Sequence, residues 1–381
     1  MNVVFSVTYI PPTYIGGGQT YIYYLTKELY KLGVNIKVFT SKPSVTSSSE
    51  WDWSHARICG CKPILRVSNT PIMPTLFPKM VEDDAYDIVH TDVPQAYSCD
   101  VSALVSQLKR KPLIITYHCD LLPSLISKIY SIILSKYTLE RADKIIATTR
   151  SYSKTSPLLS RFMKKVEVIP MGIDLERFSV RNRQKFSKDI KDRYDIGEDE
   201  YVLLFVGGLN NPHKYKRVDI LINAFSGILE KRSDVRLIIV GEDELRRSYE
   251  DLCSTLGIKN KVIFTGYVSN EELPKYYCAS DLFVLPSLTR EEAFGIVLLE
   301  AAACGSIPIC FDIPGPGEVC KDLGGFVAPI GDPVNELKKL ILEILTYDLD
   351  ELKNTCTERV KKYTWRNIAS KTLEIYEKVM K

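Results

Sequence analysis

The chain has 381 residues, of which 45% are hydrophobic and 25% are charged, and its formal net charge is only +3. These fractions are those of an ordinary globular protein, and no apolar run approaches the length of a membrane-spanning helix. Because the chain is too long for one hydrophobic core, we expect two domains.

The charge is unevenly distributed along the chain. Residues 1–180 hold 21 Lys and Arg against 15 Asp and Glu, a balance of +6, whereas the remainder holds 29 against 32, a balance of −3. A basic N-terminal half favours an acidic acceptor or an anionic membrane surface as partner, and ordinary solvated charge is the alternative. We expect no nucleic acid partner.

The cysteines and histidines do not suggest a metal site. The ten cysteines are scattered, and the one close pair, Cys59 and Cys61, lacks the usual zinc spacing. Residues 1–14 lack the basic segment of a signal peptide and predict a first strand instead. We therefore expect a reduced, cytoplasmic location, with the inner membrane surface as one variant of it.

Strand-like and helical runs alternate along the first half, which predicts a parallel sheet covered by helices. A helical pattern over 18–32 follows the first strand. The predicted strands are 2–8, 34–40, 87–91, 113–118, 144–148 and 166–170.

Three glycines, Gly16, Gly17 and Gly18, lie between the first strand and the first helix. Glycines let a backbone approach a ligand closely, and the helix N-terminus offers N–H groups to phosphate. A dinucleotide fingerprint is excluded because Tyr21 stands where its third glycine belongs. A flexible surface turn is the alternative.

His118 ends the predicted strand 113–118 at its carboxyl end, where ligands bind in open α/β sheets. A structural imidazole is the alternative for a lone histidine. The apolar segment 121–137 follows, with Lys128 and Lys136 eight residues apart. It predicts either an amphipathic helix on a membrane or a helix packed on the sheet with two snorkelling lysines.

The segment 179–199 is charged and poor in aliphatic residues, which predicts a linker. A second series of strand-like runs follows it. The predicted strands are 201–206, 236–240, 261–265, 281–285 and 307–311.

The stretch 286–305 places two carboxylates, Glu292 and Glu300, across a strand–loop–helix junction. The helix is predicted over 294–304, so Glu292 lies in the loop and Glu300 lies about two turns inside the helix. Isolated buried carboxylates are costly, and an exposed helix carboxylate paired with a lysine is the alternative for Glu300. The junction therefore predicts a site for a polar, phosphorylated ligand.

This stretch resembles the Glu-(seven residues)-Glu signature of the retaining glycosyltransferases of family 4. The matching positions are Ser287, Glu292, Phe294, Gly295, Glu300, Ala301, Ala303, Gly305 and Pro308. The resemblance extends over nearly the whole chain and implies an α/β fold with two doubly wound, Rossmann-like domains facing a central cleft. It implies an acceptor-binding domain over 1–180, a donor domain over 181–363, and a C-terminal helix, 364–381, crossing back to the first domain.

The resemblance also implies roles for particular residues. Glu292 would act on the transferred sugar with the N–H groups of Phe294 and Gly295, and Glu300 would bind ribose hydroxyls. Gly16, Gly17 and Gly18 resemble a turn beside the donor phosphates and the acceptor, and His118 resembles a histidine beside the transferred sugar.

The resemblance assigns the donor diphosphate to Lys216, although Gly208 occupies the family's usual arginine position. Lys214 and Arg217 are stand-ins, and solvated loop lysines are the alternative. Tyr267 and Val268 would lie by the base.

The implied reaction moves a hexose from a nucleoside-diphosphate sugar, such as a UDP- or GDP-sugar, to a carbohydrate or lipid-linked acceptor. It proceeds with retention and without a metal or other cofactor. A nucleotide-sugar epimerase, a phosphorylase and a non-catalytic nucleotide-sugar binding protein are the rival functions of this fold.

Overall fold

The computed structural model describes residues 1–11, 17–42, 53–67, 70–120 and 134–381. The chain divides into two compact units. The first unit comprises Met1–Gly172 and Trp365–Lys381, and the second comprises Ile173–Thr364. The first boundary between the units thus lies after Gly172, whereas the sequence predicts a boundary after residue 180.

The first unit is built on parallel strands. Its strands are β1 (Asn2–Ser6), β2 (Asn35–Ser41), β3 (Arg57–Cys61), β4 (Leu65–Val67), β5 (Thr70–Ile72), β6 (Ile88–Val93), β7 (Leu113–Tyr117), β8 (Lys144–Ala147) and β9 (Val166–Val168). Its helices before Gly172 are α1 (Gly17–Lys31), α2 (Leu76–Glu82), α3 (Ser98–Lys109), α4 (Lys136–Arg141), α5 (Arg150–Thr155) and a 3-10 helix (Leu159–Phe162).

The sheet of the first unit has the order β3-β2-β1-β6-β7-β8-β9, and all its neighbours run parallel. Strands β6 and β7 are buried at every position. A parallel sheet covered on both faces needs continuous apolar, β-branched runs, which 88–89 and 113–115 supply. The antiparallel pair β4-β5 lies outside this sheet.

The second unit repeats the pattern. Its strands are β10 (Tyr201–Val206), β11 (Val235–Val240), β12 (Val262–Gly266), β13 (Leu282–Leu285), β14 (Ile307–Phe311) and β15 (Phe326–Ala328). Its α-helices are α6 (Arg183–Arg193), α7 (Val218–Leu229), α8 (Arg246–Thr255), α9 (Leu273–Ala279), α10 (Ile296–Ala303), α11 (Pro316–Leu323), α12 (Pro333–Ile344) and α13 (Leu349–Val360). Its 3-10 helices are Val180–Asn182, Asn211–Lys216, Lys259–Lys261 and Lys361–Tyr363.

The sheet of the second unit has the order β12-β11-β10-β13-β14-β15 and is also parallel throughout. Helix α7 presents seven buried residues to one continuous apolar core that also takes in β10, β11 and β14. The predicted α/β class with two doubly wound parallel sheets is therefore confirmed.

Several local predictions need correction. The segment 179–199 is not a linker, because it contains α6, whose Ile190 is fully buried in the second unit. Strands β3 and β15 escape prediction because one is half-buried and the other has three residues. Helix α10 begins at Ile296 and not at 294, because Gly295 adopts a left-handed conformation with φ of 78°.

The last helix, α14 (Trp365–Val379), belongs to the first unit and packs on α1. Residues 121–133 of the predicted helix 121–137 lie outside the described residues, and Lys136 begins α4. In the part of the chain that the structure describes, no helix combines the length and apolarity needed to cross a membrane.

Candidate functional site

The second unit changes strand order between β10 and β13. These strands are neighbours, yet the chain visits β11 and β12 on the far side of β10 before it returns to β13. Ligands of doubly wound folds bind outside the carboxyl ends of the strands at such a switch point. The loops 207–217 and 286–295, which leave the carboxyl ends of β10 and β13, therefore form the candidate site of this unit.

Lys216 and Glu292 meet between these two loops. The Lys216 ammonium donates to Glu292 Oε2 at 2.7 Å, and each side chain is only 12% exposed. A Cβ added to Gly207 would lie 2.9 Å from Lys216 Cδ, so Gly207 gives the lysine room. The two residues are 76 positions apart, and the strand order brings them together.

The environment of Lys216 keeps its ammonium charged. Burial alone would lower its pKa, but the Glu292 carboxylate and Tyr215 outweigh burial, and the pKa is raised. An opposite charge at this distance favours the ionised form of the lysine. The pair therefore offers a fixed cation and a fixed carboxylate to a ligand.

The turn into α10 is shaped by Gly295. At its φ of 78° a Cβ would approach Leu285 Cδ2 at 2.9 Å, so only glycine fits without strain. Phe294, the preceding residue, is buried. The first N–H groups of α10 have no partner within the helix, and they follow Glu292 by only a few residues.

Glu300 lies in the second turn of α10 and is half-buried. The Tyr277 hydroxyl donates to its Oε2 at 2.7 Å. Burial raises the pKa of Glu300 to about 7, although Tyr277 and Arg177 offset part of this effect. The contacts that the protein itself makes with this carboxylate do not fully offset the cost of its burial.

The other predicted residues of this unit differ from Lys216 and Glu292 in their contacts and exposure. The Arg217 guanidinium donates three hydrogen bonds of 2.8–3.2 Å to Asp219. Lys214 is exposed on the 3-10 helix. Tyr267 is 80% exposed, and Val268 is half-buried beside it, after Gly266 at the end of β12.

The first unit changes strand order between β1 and β6, and polar residues lie at the carboxyl ends there. His118 directly follows β7, and its Nε2 lies 3.2 Å from Oδ2 of Asp92 in β6 without hydrogen-bond geometry. Asp92 is fully buried, and its Oδ1 has no hydrogen-bond partner among the described residues. The same holds for the buried hydroxyl of Thr148, which follows β8.

A buried hydrogen-bond network lies next to this edge of the sheet. The Tyr21 hydroxyl contacts Thr116 Oγ1 at 3.2 Å, and that oxygen contacts His90 Nε2 at 2.8 Å. His90 Nδ1 contacts the Tyr376 hydroxyl of α14. Burial, assisted by His118, lowers the pKa of His90 to about 3, so this ring is neutral.

The edge of the Tyr21 ring packs on His118, with centroids 4.9 Å apart, which links α1 to this site. Gly17 and Gly18 begin α1, and a Cβ on either would meet nothing within 4 Å. Packing within the described chain therefore does not require glycine there. Gly16 lies outside the described residues.

Two family models together match nearly the whole chain. The model for glycosyl transferases group 1 matches residues 186–363, and the model for glycosyltransferase family 4 matches residues 15–177. This chain belongs to glycosyltransferase family 4. The predicted family and its glycosyl-transfer function are thereby confirmed.

Individual relatives of this glycosyltransferase agree with the family. An uncharacterized glycosyltransferase of Methanocaldococcus jannaschii is 28% identical over 306 residues, 78% of this chain and 76% of that protein. Alpha-monoglucosyldiacylglycerol synthase of Streptococcus pneumoniae is 26% identical over 392 residues, 98% of this chain and 84% of that protein. The structure of Anabaena HepE in complex with UDP shares the fold, with a TM-score of 0.79 and 19% identity over 99% of this chain and 100% of that chain.

Several polar residues at the glycosyltransferase's candidate sites escaped the sequence analysis. No motif in the sequence marks Asp92 or Tyr277. Arg177, whose buried Nε has no partner in the described part of the chain, acts electrostatically on Glu300. Ser287 is named above as a signature position, but the signature alone does not reveal that its buried hydroxyl lacks a partner among the described residues. The signal in the sequence for His213 is that it is the one histidine in the loop after β10.

In the described ranges, no group of three or more His, Cys, Asp or Glu is arranged to hold a metal ion. The ten cysteines are all free.

Proposed function

We propose that this glycosyltransferase transfers a hexose from a nucleoside-diphosphate sugar to an acceptor hydroxyl with retention of anomeric configuration. The observation that carries the proposal is the largely buried pair of Lys216 and Glu292 at the switch point of the second unit. A cation and a carboxylate fixed side by side suit a ligand with a phosphate next to a polyol. Fixed cations stabilise the charge that develops on a leaving diphosphate.

The proposed donor lies along the loops of the second unit. Lys216 binds the diphosphate, with Lys214 and Arg217 as further cations, and Glu292 with the N–H groups of Phe294 and Gly295 holds the hexose. Glu300 accepts hydrogen bonds from the ribose hydroxyls through the carboxylate that Tyr277 orients. The base lies near Tyr267 and Val268, whose exposure leaves them accessible to it.

The proposed acceptor belongs to the first unit. His118 hydrogen-bonds a sugar hydroxyl, and Gly17 and Gly18 leave space for a ligand beside α1. The buried atoms Asp92 Oδ1 and Thr148 Oγ1, at the carboxyl ends of neighbouring strands, are unsatisfied polar groups of the kind that a hydroxylated ligand pairs with.

The proposed reaction occurs on one face of the sugar. The bond between the anomeric carbon and the diphosphate oxygen breaks, and a bond from that carbon to the acceptor oxygen forms on the same side. The acceptor proton passes to the leaving phosphate, and the nucleoside diphosphate is released. Retaining glycosidases instead place two carboxylates about 5 Å apart across the bond, an arrangement that the loop and helix positions of Glu292 and Glu300 do not favour.

We expect turnover without a divalent cation, since Lys216 supplies the counter-charge. Full activity in a chelator supports this expectation. Loss of activity that Mg²⁺ or Mn²⁺ restores contradicts it.

For the acceptor we propose a carbohydrate or a lipid-linked sugar at the cytoplasmic face of a membrane. Helix α3 exposes Leu104 and Leu108, and the exposed Arg110 directly follows the helix. Apolar and basic side chains together suit an anionic membrane surface. The name of the pneumococcal relative, a glycolipid synthase, agrees with such an acceptor.

The test is a transfer assay with UDP-, GDP- and ADP-hexoses against a panel of sugar and lipid acceptors, with the product's anomeric configuration read by NMR. The proposal predicts acceptor-dependent release of one nucleoside diphosphate and an α-linked product from an α-linked donor. An inverted product contradicts retention. Turnover of a nucleotide sugar that no acceptor accelerates favours an epimerase or a phosphorylase instead.

A further inference from the structure

His213 and Lys216 lie on one face of the 3-10 helix Asn211–Lys216, in the loop that leaves β10. In a 3-10 helix the side chains at positions i and i+3 eclipse each other. His213 therefore projects on the same side as Lys216, the residue that contacts Glu292. It is the one titratable ring in this helix that changes charge near neutral pH.

The His213 ring packs directly on Gly208, the second residue after β10. A Cβ added to Gly208 would lie 2.9 Å from His213 Nδ1, so any side chain at position 208 would displace the ring. The absence of a side chain at Gly208 thus permits the ring to lie at the carboxyl end of the strand. That end is where the switch point places a ligand.

Asn210 determines which ring nitrogen carries the proton. Asn210 Nδ2 donates to Asp243 Oδ2 at 3.0 Å, so its other side-chain atom, Oδ1, is the one facing His213. His213 Nδ1 lies 2.6 Å from that oxygen, and the His213 backbone N–H donates to it as well. Because an amide oxygen only accepts, Nδ1 must be protonated.

Nε2 is the ring atom that remains for a ligand. Within the residues that the structure describes, it makes no hydrogen bond, and the side chain is only half-buried. In the neutral ring Nε2 is an acceptor, which repels a phosphate oxygen, whereas in the imidazolium ion it is a donor. A phosphate ligand therefore requires the charged ring.

The charges around His213 favour the neutral ring before a ligand binds. Burial lowers its pKa most, and the Lys216 ammonium lowers it further. The carboxylates of Glu292 and Asp243 act in the opposite direction but do not reverse the shift. The anionic diphosphate of a donor would reverse it, since a nearby negative charge favours the imidazolium ion.

We infer that His213 is a second diphosphate ligand of this glycosyltransferase, beside Lys216, and that it takes up a proton when the donor binds. This inference rests on the proposed donor site in the second unit. Donor affinity should therefore gain a contribution from His213 that is present at low pH and fades as pH rises.

The test measures the Kd of the best-binding nucleotide sugar by calorimetry from pH 5.5 to pH 8.5, for the unmodified enzyme and for His213→Asn. A nucleotide sugar is the right probe because its two phosphates stay ionised across this range. The Kd of His213→Asn divided by the Kd of the unmodified enzyme reports the contribution of His213 alone, because Glu300 titrates in both proteins. We expect a ratio of about 10 or more at the lowest pH, the size of a charge-assisted hydrogen bond, and a ratio near 1 at the highest.

Two further variants complete the design. The double variant Gly208→Arg, His213→Ala places a permanent cation in the vacated space, and we expect donor affinity to be restored without a pH-dependent ratio. His55→Asn, which changes a buried histidine of the first unit, should follow the unmodified enzyme at every pH.

A Kd ratio that stays constant with pH, while both proteins bind donor, overturns the role of His213 and leaves the proposed function standing. An unmodified enzyme that is folded but binds no nucleotide sugar at any pH overturns the proposed function and the inference with it.

Discussion

Six strands follow the same order in both sheets, and the first sheet has a seventh strand at its edge, but the two units differ in the side chains at the carboxyl ends of their strands. In the second unit, the loops at the switch point bring a lysine and a glutamate to 2.7 Å, both partly accessible. In the first unit, the corresponding edge holds a fully buried aspartate, a histidine and a network of hydroxyl groups. The same topology therefore supports two different kinds of ligand.

We propose that the two units bind different parts of the substrates. Fixed charges suit an anionic ligand such as a diphosphate, whereas unsatisfied polar groups without a net charge suit a polyol. The fold alone predicts neither ligand, because the side chains at the site determine which ligand binds. Substitutions in the two units should therefore differ in their effects on turnover and on donor affinity.

The largest effect is expected for Glu292→Ala. Removing the carboxylate that contacts Lys216 should lower kcat about 100-fold or more, the usual size for loss of one group that stabilises a transition state. Steady-state kinetics with saturating donor measures it. Glu291→Ala, an exposed neighbour, is the matched control and should retain full turnover. Unchanged turnover in Glu292→Ala would remove this residue from the mechanism.

Glu300→Gln should make the second unit more stable at pH 8 and nearly unchanged at pH 5. The folded-state pKa of about 7 lies above the ordinary glutamate value of 4.5, so the native state binds more protons than the unfolded state between these pH values, and the stability of the unmodified protein falls as pH rises. The gain at pH 8 should be up to about 3 kcal/mol, since one pKa unit is about 1.4 kcal/mol. Denaturant unfolding at both pH values measures it, and equal stability changes at the two would contradict the account.

His118→Ala should lower kcat about 10- to 100-fold, because it removes a positioning hydrogen bond in the first unit. The Kd of the nucleotide sugar, measured by calorimetry, should change less than it does in Lys216→Ala. His118→Gln retains a donor and should recover part of the activity. A larger loss of donor affinity in His118→Ala than in Lys216→Ala would reverse the assignment of the two units.

The smallest effect is expected for Tyr267→Ala. The ring is 80% exposed, and we expect backbone groups of this loop, more than the ring, to contact the base. Donor Kd should rise less than about 5-fold, within the cost of one weak contact. A rise of about 100-fold would instead identify Tyr267 as a stacking platform for the base.

Local patterns predicted much of the fold. Strands such as β10 and β13 are short apolar runs closed by glycine or proline, and Glu292 and Glu300 lie in a loop and a helix as their spacing indicates. The charged segment over 179–199 is misassigned because α6 buries only Ile190 and Lys191, whose ammonium donates to backbone carbonyls. One buried apolar residue in a charged helix leaves little periodicity to detect.

Long-range contacts could not be predicted from the residues alone. The contact between Lys216 and Glu292 depends on β10 lying next to β13, and strand order is not encoded in either loop. Asp92 is invisible for the same reason, because it becomes notable only once β7 places His118 beside it.

The most direct test of the central claim is the donor affinity of Lys216→Ala compared with the unmodified enzyme. Calorimetry with UDP-, GDP- and ADP-hexoses should find one nucleotide that binds the unmodified enzyme and binds Lys216→Ala about 10- to 100-fold more weakly, the cost of losing one charge-assisted contact. Equal affinity in the two proteins would contradict a donor site built on Lys216 and Glu292.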